Sequence, residues 1–179
     1  MTLSQTDVQR IADAVAVINE FLPNSNVGLP DDIFYLVSRL TPMVNVDLLI
    51  VNERNEKLLT WREDQFYGPG WHIPGGIIRF KELAETRILK VAELEIGATL
   101  SWEPRPIVVR EIMHPTRDVR GHFISMVYKC KLTGSLPLED EAPNSEQPLN
   151  GQWRWFASMP PNMIRPHLQF EELINNTVY

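Results

Sequence analysis

At 179 residues the chain is long enough to bury one sizeable core, and 44% hydrophobic and 22% charged content is ordinary for a folded domain. A net charge of −6 lacks the basic footprint of nucleic-acid binding, so no nucleic-acid partner is expected. No apolar run approaches the roughly 18 residues of a membrane span, and the N-terminus has no basic region followed by an apolar one, so no membrane partner is expected. Cys130, the single cysteine, cannot form an internal disulfide, which favours a reducing compartment and a cytoplasmic reading.

Residues 6–22 read as an amphipathic helix. Ser4 or Thr6 caps it, Val8, Ile11, Ala12, Val15, Ile18 and Leu22 recur at helical spacing, and Pro23-Asn24-Ser25-Asn26 ends it. The apolar stripe has two candidate covers, this chain's own domain as the default or a second subunit in a homodimer. We take residues 1–28 as a helical extension and 29–179 as a single domain. Asp31 or Asp32 then opens a short second helix carrying Ile33, Phe34, Leu36, Val37 and Leu40, closed by Pro42.

Two strands follow over 44–52 and 57–61, joined by Glu53-Arg54-Asn55-Glu56, a loop length that predicts a hairpin. Asp47 interrupts the first, otherwise apolar strand, and Arg62 ends the second. That acid and base read equally well as a salt bridge or as parts of a ligand site.

Residues 63–69 form a loop ahead of the stretch that organises the chain, 70–98. Trp71, His72 and Ile73 make a short strand broken by Pro74-Gly75-Gly76. The spacing turns helical from about Glu82, and Gly97 supplies the left-handed residue that stops it. At about 100° per residue, Ala84, Ile88, Val91 and Ala92 share an apolar stripe with Leu94 at its margin. Glu82, Thr86, Lys90 and Glu93 then face water, while Glu95 points with the stripe. A carboxylate there is paired, protonated or metal-bound, because an isolated buried charge costs several kcal/mol, unless the helix end frays and releases it to solvent.

Residues 107–113 and 122–132 read as strands flanking a polar loop, 114–121, that carries His114, Arg117 and Arg120. That loop either closes over a ligand or is a solvated turn. The stretch 133–151 is acidic, proline-rich and without period, and reads as mobile. A late strand covers 153–156, and a final helix around 167–175 carries Leu168, Phe170 and Leu173. Nothing has zinc-ligand spacing or a serine or cysteine nucleophile arrangement.

The organising stretch resembles the Nudix box. Gly76, five residues, Glu82, seven residues and then Lys90-Val91-Ala92-Glu93-Leu94-Glu95-Ile96-Gly97-Ala98 follow the spacing Gly-x5-Glu-x7-Arg-Glu-U-x-Glu-Glu-x-Gly-U, where U is bulky and apolar. The preceding Gly70-Trp71-His72-Ile73-Pro74-Gly75-Gly76 is also typical of Nudix hydrolases. The resemblance implies an α/β fold, an α/β/α sandwich around a mixed sheet, whose box helix holds divalent cations at a nucleoside-diphosphate-linked substrate. Lys90 replaces the arginine, and Val91 and Leu94 replace two of the three box-helix acids. Glu95 alone supports one Mg²⁺ at most, which disfavours multiple-metal pyrophosphate cleavage.

This thinned box is similar to the GDP-mannose mannosyl hydrolase branch. The likeness extends upstream through Leu29, Phe34, Val37, Arg39, Thr41-Pro42, Asp47, Val51-Asn52, Leu58-Leu59 and Arg62. In that branch water attacks the sugar carbon, releasing free sugar and a nucleoside diphosphate. Carried over, the Gly75 carbonyl and Glu95 are Mg²⁺ ligands and Arg62 contacts the diphosphate. Asp47, Phe34 and Leu29 lie near the nucleotide or sugar, and His114 corresponds to the branch's loop histidine.

Two departures stand out. Ile77 replaces an arginine, and Leu149-Asn150 replace a Gln-His pair that supplies a metal ligand and the general base. His114, Gln147 and Gln152 are the residues left to substitute. The expectation is a Mg²⁺-dependent hydrolase of a nucleotide sugar. Its alternatives are a pyrophosphohydrolase yielding nucleoside monophosphate, and a nucleotide-binding module with little catalysis.

Overall fold

The computed structural model describes residues 3–22, 28–143 and 147–176. The helix-ending run 23–27 and residues 144–146 of the acidic segment lie outside the described residues.

Helix α1 (Gln5–Phe21) starts at Ser4, whose hydroxyl accepts the Asp7 N–H at 3.2 Å while the Asp7 carboxylate accepts the Ser4 N–H at 3.3 Å. None of its residues is buried. Packing of its stripe on this chain was the default expectation, but Val8, Ile11, Val15 and Phe21 stay about half exposed or more. Helix α2 (Asp31–Leu40) follows as expected, entered from Pro30.

Strands β1 (Met43–Ile50) and β2 (Lys57–Arg62) do not form the predicted hairpin; they belong to different sheets. β1 is flanked by β4 (Gly75–Ile77), antiparallel, and by β7 (His122–Leu132), parallel. β2 lies between β3 (Gly70–His72) and β8 (Trp153–Phe156), both antiparallel. With the edges of each strand taken by other partners, the two separate after the single bridge Val51–Lys57. Lys57 is fully buried at that parting point, its Nζ donating to the Asn55 and Asn176 carbonyls at 2.8 Å each.

The far edge of β7 pairs antiparallel with β6 (Val108–Met113) near its start and with β5 (Leu100–Trp102) near its end. At three residues, β5 is too short to register as a period-2 pattern in the sequence.

Period-2 alternation sets the layers. Val46, Leu48 and Ile50 of β1 pack with Ile88, Val91, Ala92 and Ile96 of the box helix. Leu49, on the opposite face, packs with Phe170 and Ile174. Ile174 belongs to α4 (Glu171–Asn175), which follows a 3-10 turn over Arg165–Phe170. Helices therefore cover both faces of a mixed sheet, the α/β/α sandwich expected.

The box helix begins as α3 (Ala84–Val91), two residues later than the spacing suggested, and continues as a π turn over Ala92–Ile96. Gly97, at φ 67°, stops it. The π turn spends an extra residue per turn, so Ala92 and Ile96 are both buried while Leu94 is turned out, 77% exposed.

Candidate active site

β1, β4 and the π turn meet beneath a cleft of about 720 Å³ whose lining includes Asp47, Arg62, Gly75, Glu95, Arg120 and Asn150. Alternation along β1 puts Asp47 opposite the face that packs on α3, directly across from Gly75 in β4. The approach is so close that a methyl on Gly75 would run into Asp47 Oδ1 and come within 2.8 Å of the Val46 carbonyl. Asp47 is 1% exposed. Its carboxylate accepts from Ser125 Oγ and, at 2.7 Å, from Asn45 Nδ2. Burial pushes its pKa up to about 6, against the pull of those two hydrogen bonds.

Glu95 comes off the π turn into the same cleft. Its Oε2 accepts the Gly75 N–H at 3.2 Å. Burial raises its pKa to about 7; the Gly75 hydrogen bond and the charge of Arg62 oppose the rise, and the charge of Asp47 adds to it. Of the readings left open for Glu95, the fraying end is not what the fold adopts.

Arg62 ends β2 at the cleft. Its Nε is ion-paired to Asp64 Oδ2, and its Cζ lies 5.0 Å from the Tyr67 ring centroid. Asp64 Oδ1 also accepts the N–H groups of Phe66 at 2.7 Å and Tyr67 at 2.9 Å, so one aspartate orders the 63–69 loop and holds the arginine. Asp47 and Arg62 share the cleft without pairing, which removes the salt-bridge reading of that acid and base.

Two histidines not singled out from the sequence line the same cleft. His72 Nε2 lies 3.0 Å from Thr60 Oγ1, and His72 Nδ1 lies 2.9 Å from the Ile73 carbonyl, which assigns the proton to Nδ1. The Ile73 N–H donates to His167 Nδ1 at 3.0 Å, leaving Nε2 as the protonated nitrogen of His167. Burial pushes His72 down to about 3 and His167 well below the usual histidine range, so both are neutral donors, not cations. The hydrogen bond that brings His167 beside His72 spans 94 residues of chain, from Ile73 to His167, and no local pattern announces it.

Several expected positions fall elsewhere. Leu29 and Phe34 are partly buried and lie outside the cleft lining, because α2 runs beside the 63–69 loop; Phe34 packs on Tyr35 and under Arg120. His114 closes the turn between β6 and β7, through its N–H to the Gly121 carbonyl at 2.7 Å, and lines a neighbouring hollow with Glu111, Met113 and Arg165. Gln152 Oε1 accepts the Leu149 N–H at 2.8 Å within its own turn, and Gln147 lines a separate hollow. Asn150 does reach the cleft, but its Oδ1 accepts the Glu63 N–H at 2.9 Å.

Glu82 also departs from expectation. Its side chain is 6% exposed, not facing water, because the 78–83 loop folds it against α3. It pairs with Arg87 at 2.6 Å and Lys90 at 2.9 Å and accepts the Arg79 N–H at 2.9 Å. Burial favours its neutral form, but the Arg79 N–H, Lys90 and Arg87 outweigh that and hold it at about 2.

Glu95 offers hard oxygen donors of the kind Mg²⁺ takes, whereas both carboxylate oxygens of Asp47 already accept from Ser125 and Asn45. No group of three or more His, Cys, Asp or Glu that could hold a metal ion occurs among the described residues. The residues present fit a single Mg²⁺ held through one carboxylate, with substrate phosphates completing its shell.

A glycine turn, a box helix that sends Glu95 into the cleft and a strand-end guanidinium converge here, and that arrangement is Nudix-type. The NUDIX domain family model matches residues 41–167. The chain belongs to that family, the Nudix hydrolases. It is 30% identical over 108 residues to the low-salt glycan biosynthesis protein Agl8 of Haloferax volcanii, covering 58% of this chain and 68% of Agl8. Among solved structures it is similar in fold to a MutT NUDIX hydrolase from Burkholderia pseudomallei (TM-score 0.55, 19% identity, 78% of this chain and 99% of that one). It is also similar to a possible asymmetric diadenosine tetraphosphate hydrolase from Jonesia denitrificans (TM-score 0.52, 21% identity, 69% and 84%). No helix among the described residues is long and apolar enough to cross a membrane.

Proposed function

We propose that this chain is a Mg²⁺-dependent hydrolase of a nucleotide sugar of the GDP-mannose kind, releasing free sugar and nucleoside diphosphate. The observation that carries the reading is the state of the box helix. Val91 is buried against the core, Leu94 is turned out to solvent, and Glu95 alone of the three positions presents a carboxylate to the cleft. One acid supports one cation, which suits leaving-group stabilisation better than a multiple-metal attack on phosphorus.

Glu95 and the Gly75 carbonyl would hold the Mg²⁺, whose charge would offset that developing on the departing diphosphate. Arg62, kept at the cleft by Asp64, would offer the diphosphate a fixed guanidinium. Asp47, fixed by Ser125 and Asn45, offers an acceptor to a hydroxyl or amide of the substrate. The name of the Agl8 relative ties that protein to glycan biosynthesis, and a nucleotide sugar is the substrate class consistent with such a tie.

A second reading, a nucleotide-binding module with little turnover, is favoured by Asn150. It stands where the branch carries its histidine base, its oxygen is committed to the Glu63 N–H, and it takes no proton at neutral pH.

Incubation with Mg²⁺ and a panel of nucleotide sugars separates the readings by product. Free sugar plus nucleoside diphosphate supports the first. Sugar 1-phosphate plus nucleoside monophosphate means pyrophosphate cleavage instead. Binding without turnover at high protein concentration and long times supports the module.

A further inference from the structure

The loops 63–69 and 114–121 gather three guanidiniums around one phenol. Arg117 Cζ stands 4.2 Å, Arg62 Cζ 5.0 Å and Arg120 Cζ 6.0 Å from the Tyr67 ring centroid. Of these three arginines only Arg62 has a carboxylate partner among the described residues, Asp64. Arg117 donates to the Phe66 carbonyl. Arg120 has neither kind of partner: its Nε is buried without a hydrogen bond, and its guanidinium rests 4.7 Å from the Phe66 ring and 5.5 Å from the Phe34 ring.

The backbone holds Arg120 in place. Its N–H donates to Ser38 Oγ at 3.0 Å and its carbonyl accepts the Tyr67 hydroxyl at 3.1 Å. Its φ of 51° is a left-handed conformation that a bulky residue keeps only when its surroundings impose it. The side chain so placed lines the cleft together with Arg62 and Glu95. Burial, and then the charge of Arg62, hold its pKa below the usual arginine value.

Like charges gathered on one ring with a single compensating carboxylate repel one another, and an anion between them reverses the sign of that interaction. A guanidinium laid on aromatic faces keeps its in-plane N–H groups available for phosphate oxygens.

We propose that Arg120 is a substrate-binding residue that, with Arg62, clamps the substrate's diphosphate from the loop side of the cleft. This rests on the nucleotide-sugar reading only for the identity of the molecule that carries the diphosphate.

The test is calorimetric binding of inorganic pyrophosphate and of an unphosphorylated nucleoside to wild type, Arg120→Met and Arg120→Lys, with circular dichroism as the fold control. Methionine keeps an apolar cover over Phe34 and Phe66. The expected result is at least a tenfold loss of pyrophosphate affinity in Arg120→Met, partial recovery in Arg120→Lys, and unchanged nucleoside binding. If Arg120→Met does not fold, Arg120→Lys decides: weakened pyrophosphate binding supports the clamp, and wild-type affinity overturns it. Wild-type pyrophosphate affinity in folded Arg120→Met, or no pyrophosphate binding by wild type, also overturns it. Pyrophosphate binding through Arg120 without turnover of any nucleotide sugar leaves the clamp standing and sinks the hydrolase reading. Turnover with the same KM in wild type and Arg120→Met sinks the clamp alone.

Discussion

Glu95 Oε2 accepts the Gly75 N–H at 3.2 Å, joining the end of the box helix to the start of β4 across twenty residues of chain. The bond aims the Glu95 carboxylate at the backbone expected to share its cation. It also makes a clean test available, since glutamine keeps an oxygen for the Gly75 N–H and discards the charge. Glu95→Gln should fold as wild type by thermal denaturation. Its Mg²⁺-dependent turnover should fall by about 10²–10³-fold, the several kcal/mol that a catalytic cation supplies. Full activity in that variant would remove Glu95 from the metal set.

Gly75 tests the other half of that relationship. An added methyl collides with Asp47 Oδ1, and Asp47 cannot retreat without giving up Ser125 and Asn45. Gly75→Ala should cost about 1–3 kcal/mol of stability, as overpacked sites do. A urea midpoint equal to that of wild type would contradict the close packing of β4 on β1.

Arg62 is positioned by an ion pair to Asp64, so alanine there removes a prearranged cation and leaves the loop bonds of Asp64 to Phe66 and Tyr67 in place. Arg62→Ala should lower kcat/KM by about 10²–10³-fold, the usual loss for one electrostatic contact to a developing charge. Arg62→Lys should recover part, because a lysine restores charge without the planar fork. Steady-state kinetics that match wild type would take Arg62 out of the reaction.

Glu82 carries an acid-stability signature. Its folded pKa of about 2 lies below the 4.5 of the free side chain, so its ion pairs stabilise the fold fully above pH 4.5. That contribution falls away as the pH drops toward 2, where the folded carboxylate also takes its proton. The stability gap between wild type and Glu82→Gln should therefore be largest above pH 4.5 and close as the pH approaches 2, followed by urea denaturation across that range. A gap independent of pH would mean that the Arg87 and Lys90 pairs do not act through charge.

Much of this site was legible along the chain because its information is local. The Gly76-to-Ala98 spacing encodes a turn, a helix and its stop, and period-2 alternation put Asp47 off the face that Val46, Leu48 and Ile50 bury. Arg62 was legible as the base that ends the strand after Asp47's. The oddity of Glu95 on an apolar stripe could be read before any fold was known, since helical phase alone makes a carboxylate conspicuous there.

Other features were beyond that kind of reading. The supposed hairpin of β1 and β2 failed because which strand fills an edge is decided by the whole sheet, not by loop length. His72 meets His167, and Arg120 meets Tyr67 and Ser38, through sequence separations that no periodicity spans. His114, Leu29 and Phe34 were carried over by register, yet the paths of α2 and of the β6–β7 turn set them beside the cleft lining instead of in it.

The sequence by itself determined the family, the sandwich architecture and that Glu95 is the one acid left at positions 91, 94 and 95, because spacing and burial pattern act over a few turns of chain. Only the tertiary structure decided that Glu95 bonds to Gly75, that Asp47 and Arg62 share a cleft without pairing, and that Arg120 stands there with no carboxylate partner among the described residues. Those facts depend on how distant segments divide the available hydrogen bonds and charges, and that division exists only once the sheet has closed.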